Sequence, residues 1–409
     1  MSSAPLGLFA YPWDVIDEGV DAVLAAVQRA GLNTLYLATW YHSGMFFLPH
    51  NPRRRTYFPQ PGALYFTPGE WHAAHPLPPP VSDLTDDWPR FWRDIKTRAD
   101  AAGVSLAAWM PVLHNSGIGA THRRVAVENP WGDRITHTIC PANADVRDLV
   151  LNVVRDVARS GIFDRILLES VEYLGLRHGH HHEVIGVHLD PDTDLLASLC
   201  FCPACLSRLE AEKVDGERVR KSVRDIVDSA LTGAPRQPMG WRELEAVDGG
   251  RLGMYLRVRD RIVSSLLVEA AQEIREASPA IVIAALDFGP LYALGPNGRR
   301  WQNGNDLDII LPAIDEIHPT YYFTDPAILA ERIETYERVV AGAVPQIPAI
   351  RAIMPQTSDS AALAAQLAPV AAIASGYTFY NYSFMPLASL DWIASGLAAH
   401  PPARAGAQA

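Results

Sequence analysis

Short apolar runs alternate with segments of helical hydrophobic spacing along nearly the whole chain. LGLFAYP opens the series. A segment DEGVDAVLAAVQRAG follows, in which Val20, Val23, Leu24 and Val27 recur at helical intervals and Gly31 takes the C-cap position. NTLYLATWYH then reads as a strand, DWPRFWRDIKTRADAAG as a helix, VSLAAWMPVLHN as a strand and ANADVRDLVLNVVRDVARSG as a helix leading into the strand DRILLESVEYL. The rhythm lengthens over residues 200–278, where SRLEAEKVDGERVRKSVRDIVDSAL and GMYLRVRDRIVSSLLVEAAQEIREA keep helical spacing. It resumes with the strand AIVIAALDFG, the strand IDEIHPTYYF, the helix PAILAERIETYERVVAG, the strand PQIPAIRAIMP, the helix SAALAAQLAPVAAIASG, the strand GYTFYNYSF and a last helix, PLASLDWIASGLAAH.

Eight strands with helices between them are what a (β/α)8 TIM barrel requires. The pattern therefore predicts one barrel over residues 1–400, with long βα loops, an extended helical insertion after strand four, and a frayed tail over 401–409. A doubly wound open sheet is the structural alternative, but no G-x-G-x-x-G follows the first strand. The insertions at 43–86, 116–142 and 174–200 all follow strands, so they belong to the face where barrel active sites form. The stretch PLPPPVSDL at 76–84 reads as a stiff surface linker within a loop, not a domain boundary.

Composition narrows the partners. The 409-residue chain is 48% hydrophobic and 20% charged, with a net charge of −11. That balance fits a globular protein with a large core and argues against nucleic acid or an anionic membrane as a partner. The N-terminus has no basic segment followed by a long apolar one, and no apolar run reaches transmembrane length. The expected compartment is the cytoplasm.

Strand ends carry the chemistry of a barrel. Strand one offers Tyr11, Trp13 and Asp14; strand two, Trp40, Tyr41 and His42; strand three, His114 and Asn115; strand four, Glu169 and Glu172. Strand five offers Asp287; strand six, His318, Tyr321 and Tyr322; strand seven, Arg351 and Gln356; strand eight, Asn381 and Tyr382. Aromatic faces stack on sugar rings, while amide, imidazole and guanidinium groups satisfy hydroxyls. The substrate-binding candidates are Tyr11, Trp40, His42, His114, Asn115, His178, His182, Tyr322, Arg351 and Asn381, each also readable as ordinary loop packing.

Within this frame DRILLESVEY resembles the fourth strand of glycoside-hydrolase-like barrels distantly related to the alpha-amylase superfamily. Their pattern there runs roughly Asp-Gly-Ile-His-Leu-Asp-Tyr-Ile-Arg-Tyr; Asp164 matches the first Asp and Glu169 the later carboxylate. ICPANADVRDLV resembles their Pro-x-x-Pro-x-Val-Arg-x-Tyr stretch, IHPTYYF their sixth strand, and CFCPAC a Cys-rich segment that follows strand four in some uncharacterised members. The resemblance implies hydrolysis of a glycoside. The chain departs from the pattern at Glu169, where Asp is usual, at Glu172, where Arg is common, and at strand seven, which ends without a carboxylate.

Glycoside hydrolysis uses two carboxyl groups, one protonating the leaving oxygen and one attacking or activating water. Glu169 follows the apolar run ILL, where burial tunes its acidity. Glu172 lies at odd spacing, so both face a pocket only if the strand ends or bulges between them. Asp287 is the carboxylate of the neighbouring strand, and superfamily analogy makes it the acid with Glu169 as nucleophile or base. The catalytic candidates are Glu169, Asp287 and Glu172, any of which also reads as a structural ion-pair partner.

Cys200, Cys202 and Cys205 form C-x-C-x2-C, a thiolate set suited to Zn2+ if a fourth ligand joins it. That ligand is open between the histidine loop, His188, Glu183 and Cys140; three buried reduced thiols are the alternative. His178 and His182, four apart in HGHHHE, suit a sugar-binding rim or a metal site. Arg53, Arg54 and Arg55 raise an acidic sugar as substrate, or simply balance an acidic surface. Two rivals to a glycosidase stay open: a zinc-dependent hydrolase or lyase using the Cys/His cluster, and a carbohydrate-binding barrel without catalysis. The sequence names neither the sugar nor the oligomeric state.

Overall fold

Eight of the apolar runs are parallel strands in the computed structural model, which describes residues 4–177, 183–232, 239–289 and 303–404. They are β1 (Leu6–Ala10), β2 (Thr34–Ala38), β3 (Ser105–Pro111), β4 (Arg165–Glu169), β5 (Val282–Asp287), β6 (Glu316–Pro319), β7 (Ala349–Arg351) and β8 (Tyr377–Tyr380). Each is paired with its sequence neighbour from β1 to β6, β7 pairs with β8, and β8 pairs with β1. The seam between β6 and β7 is closed by parallel bridges Ile317–Gln346 and Thr320–Ala349. There Ile317 N donates to Pro345 O at 3.0 Å and Tyr321 N to Ala349 O at 3.1 Å. The molecule is a (β/α)8 barrel, as the alternation predicts.

Strands covered on both faces read as continuous apolar runs, and β2 and β4 are buried at every position. In β1 one position needs glycine: a Cβ on Gly7 would lie 2.3 Å from the Tyr36 ring. The barrel interior also holds charge. Glu316 accepts from Arg165 Nε at 3.1 Å and sits 3.1 Å from His318 Nε2, all three buried. His318, expected at the strand-six rim, is therefore part of the barrel core.

The outer layer comprises α1 (Val20–Arg29), α2 (Trp88–Ala101), α3 (Ala144–Arg159), α4 (Trp241–Ala277), α5 (Pro326–Val340), α6 (Ser360–Val370) and α7 (Ala388–Ala399). Side-chain caps set several starts: Asp87 accepts from Arg90 N, Asn143 from Asp145 N and Val146 N, Asp325 from Ala327 N, and Asp359 from Ala362 N. The helix expected over 17–31 is split, because Gly19 at φ 95° separates Pro12–Glu18 from α1. α4 is likewise two helices joined across Val247–Gly250.

The loops after β2 and β3 each fold into a hairpin, Phe46–Phe47 with Thr56–Tyr57 and Ala126–Glu128 with Arg134–Ile139. The Pro-rich stretch 76–84 is not a free linker: Leu77 is fully buried, and Ser82 N donates to Leu64 O at 2.8 Å. After β4 come helices Pro191–Ser198, Pro203–Ala211 and Gly216–Leu231. They pack against α4 and the second hairpin around an apolar cluster of their own, which includes Leu196, Phe201, Val219, Val223 and Leu256. In the segment expected to fray from 401, Ala403 N and Arg404 N donate to Ala371 O and Ala374 O, and Arg404 pairs with Glu337 at 2.7 Å. Residues 405–409 lie outside the described residues. Among the described residues no helix is long and apolar enough to cross a membrane.

Candidate active site

The C-terminal ends of the strands surround a cavity of about 490 Å3. β4 ends on Glu169, and the next residue, Ser170, has a left-handed backbone with φ 54°. That single residue breaks the pleat. Glu169, Ser170 and Glu172 consequently all line the cavity, although odd spacing in a continuing strand would have put the two carboxylates on opposite faces.

Glu169 is 8% exposed and accepts a hydrogen bond from Trp109 Nε1 on β3. Burial pushes its carboxyl up to about 7, and the Trp109 hydrogen bond offsets only part of the rise. Glu172, 2% exposed, accepts from Asn303 Nδ2 at 2.6 Å. The remaining wall is aromatic and basic. Tyr41 and His42 come from beyond β2, Phe46 from the first hairpin, His114 from beyond β3, Tyr322 from beyond β6, Arg351 from the end of β7 and Tyr380 from the end of β8. The rings of His42 and His114 stack with centroids 3.5 Å apart.

Of the residues expected in a site, the cavity brings together Glu169, Glu172, His42, His114, Tyr322 and Arg351. Asp287 is elsewhere. It follows inward-facing Leu286, so the pleat turns it to the outer layer, where its Oδ2 accepts from the hydroxyl of Tyr336 on α5 and its Oδ1 from Gly289 N at 3.0 Å. Four binding candidates are framework. Trp40 Nε1 donates to Gly62 O at 3.0 Å, and Tyr11 lies behind the wall, its hydroxyl donating to Tyr41 at 2.8 Å. Asn115 caps the helix Ser116–Thr121, and Asn381 caps the turn at Tyr382–Phe384. His178 and His182 lie outside the described residues. The arginine run is also structural: Arg54 pairs with Asp17 at 2.7 Å, Arg53 lies 3.9 Å from the same carboxylate, and Arg55 donates to the carbonyls of Leu48 and Pro49.

Sequence reasoning missed Trp109, Tyr380, Phe46 and Ser170. The first two had a signal: Trp109 stands two residues before the end of β3 and Tyr380 ends β8, both on the inward phase of the pleat. Phe46 and Ser170 had none.

A second cluster lies outside the cavity wall. Cys140 joins Cys200, Cys202 and Cys205, all four thiols free, buried and within 4.8 Å of one another. Cys140 Sγ is 3.4 Å from Cys205 Sγ, 3.5 Å from Cys202 Sγ and 3.8 Å from Cys200 Sγ. Zinc–sulfur bonds of ~2.3 Å in a tetrahedron place sulfurs ~3.8 Å apart, so the donor set fits that ion. Cys140, one of the residues left open as a fourth donor, is the one that completes the cluster.

A larger cavity of about 560 Å3 lies at the opposite end of the barrel, lined by Lys96, Asp164 and the residues that begin β3 and β5. It is the wrong face for barrel chemistry.

No protein family matches the chain in sequence, and no curated protein does. Solved structures do match in fold. Over 99% of this chain and 100% of its own, the catalytic domain of beta-amylase from Paenibacillus polymyxa superposes with a TM-score of 0.60 at 10% identity. The PgaB glycoside hydrolase domain from Bordetella bronchiseptica aligns over 93% of this chain and 94% of its own, with TM-score 0.58 and 14% identity. The GH42 beta-galactosidase Gan42B from G. stearothermophilus gives 0.59 at 11% identity, over 97% of this chain but 56% of its own. All three are glycoside hydrolases, and at these identities the likeness is one of fold.

Proposed function

We propose that the chain is a glycoside hydrolase whose chemistry rests on Glu169 and Glu172. The observation that carries the reading is their convergence on one aromatic-walled cavity, produced by the left-handed turn at Ser170. A carboxyl group pushed up to about 7 is protonated for much of the time at neutral pH, so Glu169 suits the general acid that protonates the departing glycosidic oxygen. Glu172, oriented by Asn303, serves as the second carboxylate, acting on water or on the anomeric carbon. Tyr322 and Tyr380 give flat apolar faces for the sugar ring, and His42 and His114 supply hydrogen-bonding groups. The fold likeness to glycoside hydrolases and the strand-four resemblance support the same reaction class. Asp287 has no part in it.

Turnover of a panel of aryl glycosides tests the reading. The expected result is hydrolysis by the native protein, lost by about a thousandfold or more in both Glu169→Gln and Glu172→Gln with the fold retained. Sugar binding with no turnover in any of the three would favour a binding barrel instead.

The same reading gives the four thiols a structural zinc ion. Its support is a complete set of four buried sulfur donors, which leaves no open position for water or substrate. Bound there, the ion would link Cys140, the residue that follows the second hairpin, to the segment that carries the other three cysteines. A zinc-dependent hydrolase would need an open coordination site, so that rival is not adopted. Elemental analysis of the purified chain is expected to find one zinc per molecule, absent from Cys202→Ser; no metal in the native protein would remove the ion from the account.

A further inference from the structure

Arg351 ends β7 and lines the cavity beside Tyr322, Tyr380 and Glu169. Among the described residues its guanidinium has neither an ion-pair nor a hydrogen-bond partner, and its Nε is buried without an acceptor. It lies over the ring of Tyr322, whose centroid is 5.9 Å from the guanidinium carbon. Two other enclosed arginines, Arg147 and Arg165, are satisfied. Arg147 reaches Glu269 and two carbonyls, and Arg165 reaches Glu316. A buried Nε without an acceptor is costly, and a ligand that supplies one recovers that cost.

Two alternative uses of the charge fail on the geometry. Arg351 does not anchor a loop, since none of its guanidinium nitrogens bonds to a backbone carbonyl among the described residues. It is not spent on Glu169 either: among the described residues no ion pair or hydrogen bond joins the two, and Trp109 Nε1 donates to that carboxylate. The run Arg53–Arg55 does not line the cavity, and Arg54 and Arg55 are bound to Asp17 and to loop carbonyls.

We infer that Arg351 is the specificity-determining residue of the cavity and that the substrate is a sugar bearing an oxyanion, a carboxylate, sulfate or phosphate ester, paired bidentately with this guanidinium. This rests on the glycosidase reading and names its substrate class. A planar fork of donors matches two oxygens of such a group, whereas a neutral hydroxyl would leave most of the donors unmet.

Isothermal titration calorimetry at pH 7 tests this without requiring turnover. The probes are D-glucuronate, D-galacturonate, glucose 6-sulfate and glucose 6-phosphate, each against its neutral sugar, with the native protein, Arg351→Met and Arg351→Lys. The expected result is at least tenfold tighter binding of one anionic probe than of its neutral counterpart, with the preference abolished in Arg351→Met and partly restored in Arg351→Lys. Which probe wins separates carboxylate, sulfate and phosphate. Equal binding of charged and neutral sugars, a preference that survives Arg351→Met, or no binding of any anionic probe overturns the inference. Neutral glycosides hydrolysed in a Glu169-dependent way would then leave the glycosidase standing. Anion preference at Arg351 without turnover of any glycoside would do the reverse. Unfolding midpoints of both variants check that the fold is intact.

Discussion

Ser170 decides more about the site than any charged residue does. A non-glycine residue in the left-handed region costs roughly 1–2 kcal/mol, and here that conformation turns Glu172 toward the cavity. Ser170→Gly should leave stability unchanged or slightly raised. Ser170→Val should lower it by about 1–2 kcal/mol or more and reduce turnover, because a β-branched residue resists this backbone; urea unfolding with an activity assay measures both. Glu169 makes a prediction in pH. Its native carboxyl titrates at about 7, above its ordinary 4.5, so the native state holds the proton more tightly than the unfolded chain. The resulting stability is complete below pH ~4.5 and is lost as pH rises through about 7. Glu169→Gln, which keeps an acceptor for Trp109 but cannot ionise, should match the native protein at pH 4.5 and exceed it by up to about 3 kcal/mol at pH 8.5. Asp14, also pushed up to about 7 by burial, titrates in the same window, so the difference between variant and native protein isolates Glu169.

At the scale of elements, the carboxylates of the barrel divide between inner and outer layers. Asp287 ties β5 to α5 through Tyr336, while Glu316 joins β6 to β4 inside the barrel through Arg165. Burial pushes Glu316 up, but the hydrogen bond from His318 and the charge of Arg165 outweigh it and hold the carboxyl below its ordinary range. Asp287→Asn and Tyr336→Phe are therefore expected to cost stability, about 1–3 kcal/mol each, while leaving kcat within a few-fold of the native value. A thousandfold loss of kcat in Asp287→Asn would put that carboxylate back into the chemistry. Arg165→Met strands a buried carboxylate and should cost about 3–5 kcal/mol in chemical denaturation.

At the scale of the whole molecule the described residues form two apolar clusters, the barrel's and the smaller one between the post-β4 helices, α4 and the second hairpin. The four cysteines belong to the second, and Tyr173, one residue beyond Glu172, places its hydroxyl 3.3 Å from Cys205 Sγ. If zinc fills the thiol site, Cys202→Ser and exhaustive chelation should each lower the unfolding temperature by several degrees, and calorimetry should show the loss before the barrel melts. A single unchanged transition after metal removal would mean that the thiols carry no structural ion.

Periodicity is local information, and what depends on it was legible. Strand–helix alternation determined the barrel, and strand ends located Glu169, His42, Tyr322 and Arg351 at the face of the site. Only the tertiary structure decided which strand-end residues look inward. That choice turns on the phase of each pleat and on one backbone angle at Ser170, so Glu172 enters the cavity and Asp287 leaves it. The same holds for Cys140, which meets Cys200 across a separation of 60 residues. It also holds for Arg351, whose lack of a partner becomes visible only once every surrounding element is in place. Spacing in sequence constrains neighbours along an element, whereas convergence between elements is settled by how the barrel closes and its loops pack.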